Sequence, residues 1–217
     1  MGAYVTRPNT DGKIPGIVFI YEVFGMNDAM AGVADDIAAE GFAVMIPNVF
    51  DRGSWFSCVR QAIKDMRAGQ GQGIDDLIAA RNWLSGQNYV EPGKIAVMGL
   101  CMGGGFALVL GKTGLFQVSA PFYGQVPQDL NGLCPVVASY GGKDKMLLKD
   151  AHRLETELPK LGIPYDMKIY PDAGHSFLNP PHNGFMRFLS KRMGMGYEPA
   201  SAADAKKRLV NFLREHL

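Results

Sequence analysis

Residues 94–111, KIAVMGLCMGGGFALVLG, constrain this chain most tightly, because they read as a strand, a sharp turn and a helix with a cysteine at the turn. The run Ile95-Ala96-Val97-Met98 is strand-like, and Phe106 to Leu110 has the continuous apolar character of a buried helix. Between them Gly99-Leu100-Cys101-Met102-Gly103-Gly104 matches the nucleophile-elbow pattern, with cysteine at the nucleophile position. The glycines have a steric purpose: so tight a turn strains the backbone, and side chains around it would block the approach of strand, helix and substrate. The turn also sets Cys101 at a helix N-terminus, where unpaired N–H groups favour negative charge.

Other readings of this stretch fit less well. A dinucleotide fingerprint fails because Cys101 stands where the second glycine is needed. A phosphate-binding loop fails by one residue, since five apolar residues separate Gly105 from Gly111-Lys112-Thr113. The plain alternative is a buried cysteine acting as a small hydrophobe. Packing alone gives little reason for so many glycines around it.

The whole chain sets milder bounds. Its 217 residues suit one domain, 1–217, able to bury a substantial core. With 22 basic against 21 acidic residues, no charge excess points to nucleic acid or an anionic membrane. No apolar run approaches a membrane span, and the first residues, MGAYVTRPNTDGK, do not resemble a secretory leader. Cys58, Cys101 and Cys134 lack metal-ligand spacing and suit free thiols in a reducing cytoplasm. These readings give a cytoplasmic protein without metal or cofactor, a monomer or small homo-oligomer, whose partner is a small molecule.

Strand and helix signals alternate along the chain. Ala3 to Thr6 reads as a short edge strand, Gly16 to Tyr21 as a strand covered on both faces, and Phe42 to Ile46 as another, closed by Pro47. Between the last two, Met30, Val33, Ala34, Ile37 and Ala38 recur at helical spacing, with Gly41 as a stop. Residues 48–73, with Trp55 and Arg60, read either as a pocket wall or as a surface helix with a flexible glycine-rich end. Ile74, Leu77, Ile78 and Leu84 mark the next helix. Beyond the elbow, Val118 to Tyr123, Pro135 to Tyr140 and Tyr165 to Tyr170 are strand candidates, Pro121 standing near the end of its strand. Leu147 to Leu161 is helical, and Ser201 with Asp204 resembles a capping box for a last helix. Residues 178–199 form a Pro-, Gly- and Met-rich connection that is a second candidate for a lid.

This alternation predicts an α/β fold, a mainly parallel twisted sheet with helices on both faces. Ligands in such sheets bind beyond the carboxyl ends of the strands. Glu22, Cys101, Asp144 and His175 each fall just after a predicted strand. The order nucleophile, acid, histidine, at spacings of 43 and 31 residues, is that of the α/β-hydrolase fold. On this reading His175 takes the thiol proton and Asp144 holds its tautomer. Taken singly, Asp144 is equally a turn or helix-cap residue and His175 a loop residue. His152, His182 and His216 have no comparable context.

Five segments together carry a family resemblance: Glu22-Val23-Phe24-Gly25, Gly99-Leu100-Cys101-Met102-Gly103-Gly104, Phe122-Tyr123-Gly124, Gly142-Lys143-Asp144 and Ala173-Gly174-His175-Ser176-Phe177. In this the chain resembles the dienelactone hydrolase family, cysteine hydrolases of α/β-hydrolase fold. The resemblance implies a Cys101–His175–Asp144 triad that opens a small lactone or ester to a hydroxy or oxo acid such as maleylacetate. It further implies that Glu22 contacts the resting thiol and accepts its proton, and that the N–H groups of Val23 and Met102 form the oxyanion hole. Tyr123, Trp55 and Arg60 are candidate substrate contacts. One departure stands out: the family's carboxylate-binding arginine just after the histidine has no match in Leu178-Asn179-Pro180-Pro181, leaving Arg60 or Arg187 as substitutes. Two alternatives of other classes are a redox-responsive binding protein that keeps the fold and an amidotransferase-like cysteine peptidase.

Overall fold

A computed structural model describes residues 1–179 and 196–217. In chain order its elements are β1 (Ala3–Thr6), β2 (Ile14–Ile20), α1 (Asp28–Ala39), β3 (Ala43–Pro47), α2 (Trp55–Ala68), α3 (Gln72–Ser85), β4 (Val90–Leu100), α4 (Met102–Gly111), β5 (Val118–Phe122), β6 (Val136–Gly141), α5 (Leu148–Glu157), β7 (Tyr165–Tyr170) and α6 (Pro199–His216). The strands form one seven-stranded sheet in the order β1-β3-β2-β4-β5-β6-β7. The β1–β3 pair is antiparallel and the other neighbours are parallel. The parallel strands therefore all end at one edge.

Both faces of the sheet are covered because its strands are apolar on both sides. Ile17, Phe19 and Tyr21 of the β2 region point to the layer holding α1 and α6, where Val33, Ile37, Leu209 and Leu213 pack on them. The alternate residues Val18 and Ile20 face the opposite layer, against Leu77 and Leu84 of α3 and Phe106 and Leu110 of α4. Period-two alternation along a strand and a helical apolar stripe meet here in the expected way. Farther along the sheet, Val136, Ala138 and Tyr140 of β6 are covered by Ala151 and Leu154 of α5.

Three local expectations are refined. Residues 48–73 are mostly regular: α2 starts after Ser54, whose hydroxyl accepts from the Ser57 amide, and ends at left-handed Gly69. The glycine-rich stretch is a helix-to-helix joint, with Gly71 at φ 120° before α3. The capping box at Ser201 and Asp204 is corrected. Glu198 caps α6 by accepting from the amides of Ala200 and Ser201, with Pro199 following it, so Ser201 lies inside the first turn. Asp204 instead accepts from Lys168 Nζ and Tyr170 Oη, holding α6 to β7. Pro121 sits at the penultimate position of β5, opposite Gly99. No helix among the described residues is long and apolar enough to cross a membrane.

Candidate active site

The turn between β4 and α4 holds Cys101 at φ 55° and ψ −113°, a conformation that side-chain-bearing residues rarely adopt. Its amide donates to Phe122 O at 3.0 Å, and its carbonyl accepts from Gly105 N at 3.2 Å. The surrounding glycines are there for closeness. A Cβ on Gly99 would overlap the carbonyl of Gly103, and one on Gly103 would overlap that of Ile20. Helix α4 is thereby seated on the ends of β2 and β4, and the cysteine is lifted above the sheet edge.

His175 follows β7 and Asp144 follows β6 on the same edge. Both are nearly fully buried, at 3% and 1% exposure. His175 Nδ1 lies 2.7 Å from Asp144 Oδ2. The other carboxylate oxygen, Oδ1, accepts from the amides of Met146 and Leu147 at 2.9 and 3.2 Å, so the acid is pinned on both sides. Burial raises the Asp144 carboxyl, but the bond to His175, that residue's charge and the two amides outweigh it and hold the group low. Burial likewise disfavours a charged His175. Asp144 and the neighbouring Cys101 sulfur override it and push the imidazole up to about 10. With Nδ1 committed to Asp144, Nε2 is the nitrogen left for the sulfur.

Glu22, after β2, is 8% exposed and is raised by burial; Ser176, the charge of His175, Tyr123 and Asn179 oppose this. Its hydrogen bond comes from Ser176 Oγ at 2.9 Å. Among the described residues no hydrogen bond joins its carboxylate to the Cys101 thiol; the one it accepts comes from the Ser176 hydroxyl. Tyr123 is wholly buried, its ring 5.1 Å from that of His175. Burial, and then the charges of Glu22 and Cys101, push its hydroxyl well above the ordinary tyrosine value. The three non-glycine residues of positive φ among those described are Cys101, Tyr123 and Ser176. Backbone strain is thus concentrated where the reactive groups meet.

The turn Glu22 to Gly25 is closed by Gly25 N donating to Glu22 O at 3.0 Å. Neither the Val23 nor the Met102 amide donates to another described group, so both remain open. Trp55 reaches this turn, its Nε1 donating to Val23 O at 2.9 Å. Arg60 lines a groove along α2 with Trp55, Phe56, Lys64 and Arg67, and Cys101, Asp144 and His175 do not line that groove. Arg187 and most of the 178–199 connection lie outside the described residues. The sequence reading missed Ser176 and Asn179 as neighbours of Glu22. Ser176 stood inside the Gly-His-Ser-Phe segment, yet nothing local shows that its hydroxyl turns towards a residue 154 positions earlier.

Comparison with known proteins gives the chain its family. A profile of the dienelactone hydrolase family matches residues 1–217. A carboxymethylenebutenolidase of Pseudomonas putida is 27% identical over 233 residues, covering 98% of this chain and 90% of its own. A probable 2-oxo-3-(5-oxofuran-2-ylidene)propanoate lactonase of Bradyrhizobium is 24% identical over 242 residues, covering 99% and 89%. Among solved structures, a putative dienelactone hydrolase of Klebsiella pneumoniae superposes with TM-score 0.79 at 20% identity, covering 98% of this chain and 92% of that one. A dienelactone hydrolase-like promiscuous phosphotriesterase from metagenomic libraries gives TM-score 0.81 at 23% identity, covering 99% and 92%. With its fold, its elbow and a whole-length profile match in agreement, this chain belongs to the dienelactone hydrolase family.

Proposed function

We propose that the protein hydrolyses a small lactone or carboxylic ester through a thioester on Cys101. The observation that carries this is the 2.7 Å Asp144–His175 bond beside a cysteine held at φ 55°. The names of the Pseudomonas and Bradyrhizobium relatives support the substrate class.

Asp144 holds the imidazole so that Nε2 takes the thiol proton and keeps it, which leaves the sulfur charged for attack. The thiolate attacks the carbonyl carbon, and the oxyanion that forms accepts from the open amides of Val23 and Met102. Collapse breaks the ester C–O bond, His175 gives its proton to the departing alkoxide, and the acyl group stays on sulfur. For a lactone that alkoxide remains tethered to the acyl group. Water then loses a proton to His175, attacks the thioester and releases the acid as the C–S bond breaks. Glu22, Tyr123 and Ser176 shape the pocket beside the sulfur. Trp55 lies at the rim, where it is 44% exposed.

The test is turnover of dienelactones and p-nitrophenyl esters by the purified protein. Hydrolysis that falls by a factor of about 10³ or more in Cys101→Ala is expected. No turnover of any substrate, or turnover that survives Cys101→Ala, would overturn the reading.

A further inference from the structure

Trp55 is a half-exposed aromatic side chain whose one polar atom is spent on the backbone of the turn that carries a proposed oxyanion donor. In that turn Glu22 O accepts from Gly25 N, and Val23 O accepts from Trp55 Nε1. Both carbonyls flanking the Val23 residue are therefore occupied, while the Val23 amide has no acceptor among the described residues. The Val23 N–H shares its peptide plane with the Glu22 carbonyl, and the Val23 carbonyl lies in the next plane, joined to the first at the Val23 Cα; holding both planes restricts rotation about that Cα and so restricts where the N–H points.

The indole is itself held. Ser54 caps α2 and makes Trp55 its first residue. Three residues earlier Arg52 makes two hydrogen bonds to Asp76 of α3, at 3.0 and 2.8 Å, and that bidentate pair ties the approach to α2 onto a neighbouring helix. The Phe56 ring meets the indole edge-on at 5.0 Å. The chain Asp76, Arg52, Trp55, Val23 thus runs from the helical layer to the oxyanion turn.

From this we infer that Trp55 is a positioning residue: its indole N–H aims the Val23 amide at the oxyanion, rather than contacting the substrate itself. The inference rests on the cysteine hydrolase reading, and the test separates the two. Trp55→Phe keeps an aromatic ring and removes the N–H, and Trp55→Leu removes both.

Each variant is compared with the native protein in three measurements: p-nitrophenyl acetate turnover, affinity for a trifluoromethyl ketone that forms a tetrahedral oxyanion adduct on Cys101, and the rate of Cys101 alkylation by iodoacetamide, which develops no such oxyanion. Both variants are expected to lose about three- to tenfold in kcat, the scale of one net hydrogen bond, with KM little changed. Ketone affinity is expected to fall in parallel and the alkylation rate to stay level. Unchanged kcat or ketone affinity in Trp55→Phe overturns the inference while leaving the hydrolase reading intact. So does a loss shared by alkylation, which would report general disturbance of the site. A native protein that neither turns over esters nor takes up the ketone overturns both.

Discussion

Glu22 lies where burial penalises its charge, and the hydroxyl of Ser176 compensates only in part. Its folded pKa is raised, so between the ordinary carboxylate value and the raised one the folded protein binds more protons than the unfolded chain. Stability therefore falls as pH climbs through that interval. Glu22→Gln keeps an acceptor for Ser176 but carries no charge. It is expected to melt about 2–4 °C above the native protein at pH 7, the shift that roughly 1 kcal/mol makes at this chain length, while ester turnover falls. A variant that melts at or below the native temperature would show that the carboxylate is not held against its burial. The sequence placed Glu22 on the correct edge because it directly follows an apolar strand. Its partner could not be read there, since Ser176 is brought beside it only by the packing of β7 across the sheet.

Helix α3 illustrates the same division among elements. The residue that precedes it, Gly71, has no side chain to cap it, and the amide of Gly73 donates instead to Asp65 Oδ2 of α2 at 2.9 Å. Asp65 is 3% exposed and also accepts from Gln61 Nε2 at 2.6 Å. One carboxylate of α2 thus begins α3, and Gly71 is there for this closeness, since a Cβ on it would run into Asp65. Asp65→Ala is expected to cost about 1–2 kcal/mol, as loss of a helix cap does. In thermal unfolding that is a fall of about 2–8 °C. An unchanged melting temperature would show that water replaces the cap without cost. The run of glycines was legible as a break between helices but not as a capped joint, because its acceptor belongs to the preceding helix.

Across the molecule, four groups from the ends of four strands meet at one edge, and this leaves a signature in stability against pH. Asp144 is held below its usual value of 3.8, so its contribution is present above that pH and is lost as pH falls through the depressed value. His175 is raised from 6.5 to about 10, so its contribution is complete below 6.5 and disappears as pH rises towards 10. Urea unfolding across pH 6–10 is expected to show a decline that His175→Ala abolishes; an equal slope in the variant would refute the pairing. The amino-acid sequence by itself determined the order of strands and helices, the elbow at Cys101 and the edge on which Asp144 and His175 emerge. These follow from apolar periodicity and from glycine and proline chemistry, which act over a few neighbouring residues. Only the tertiary structure decided that Ser176 bonds to Glu22, that Trp55 bonds to the Val23 carbonyl and that Arg60 lines a groove along α2. Each of these depends on how one element is rotated and seated against another, and that is settled by packing summed over the whole sheet.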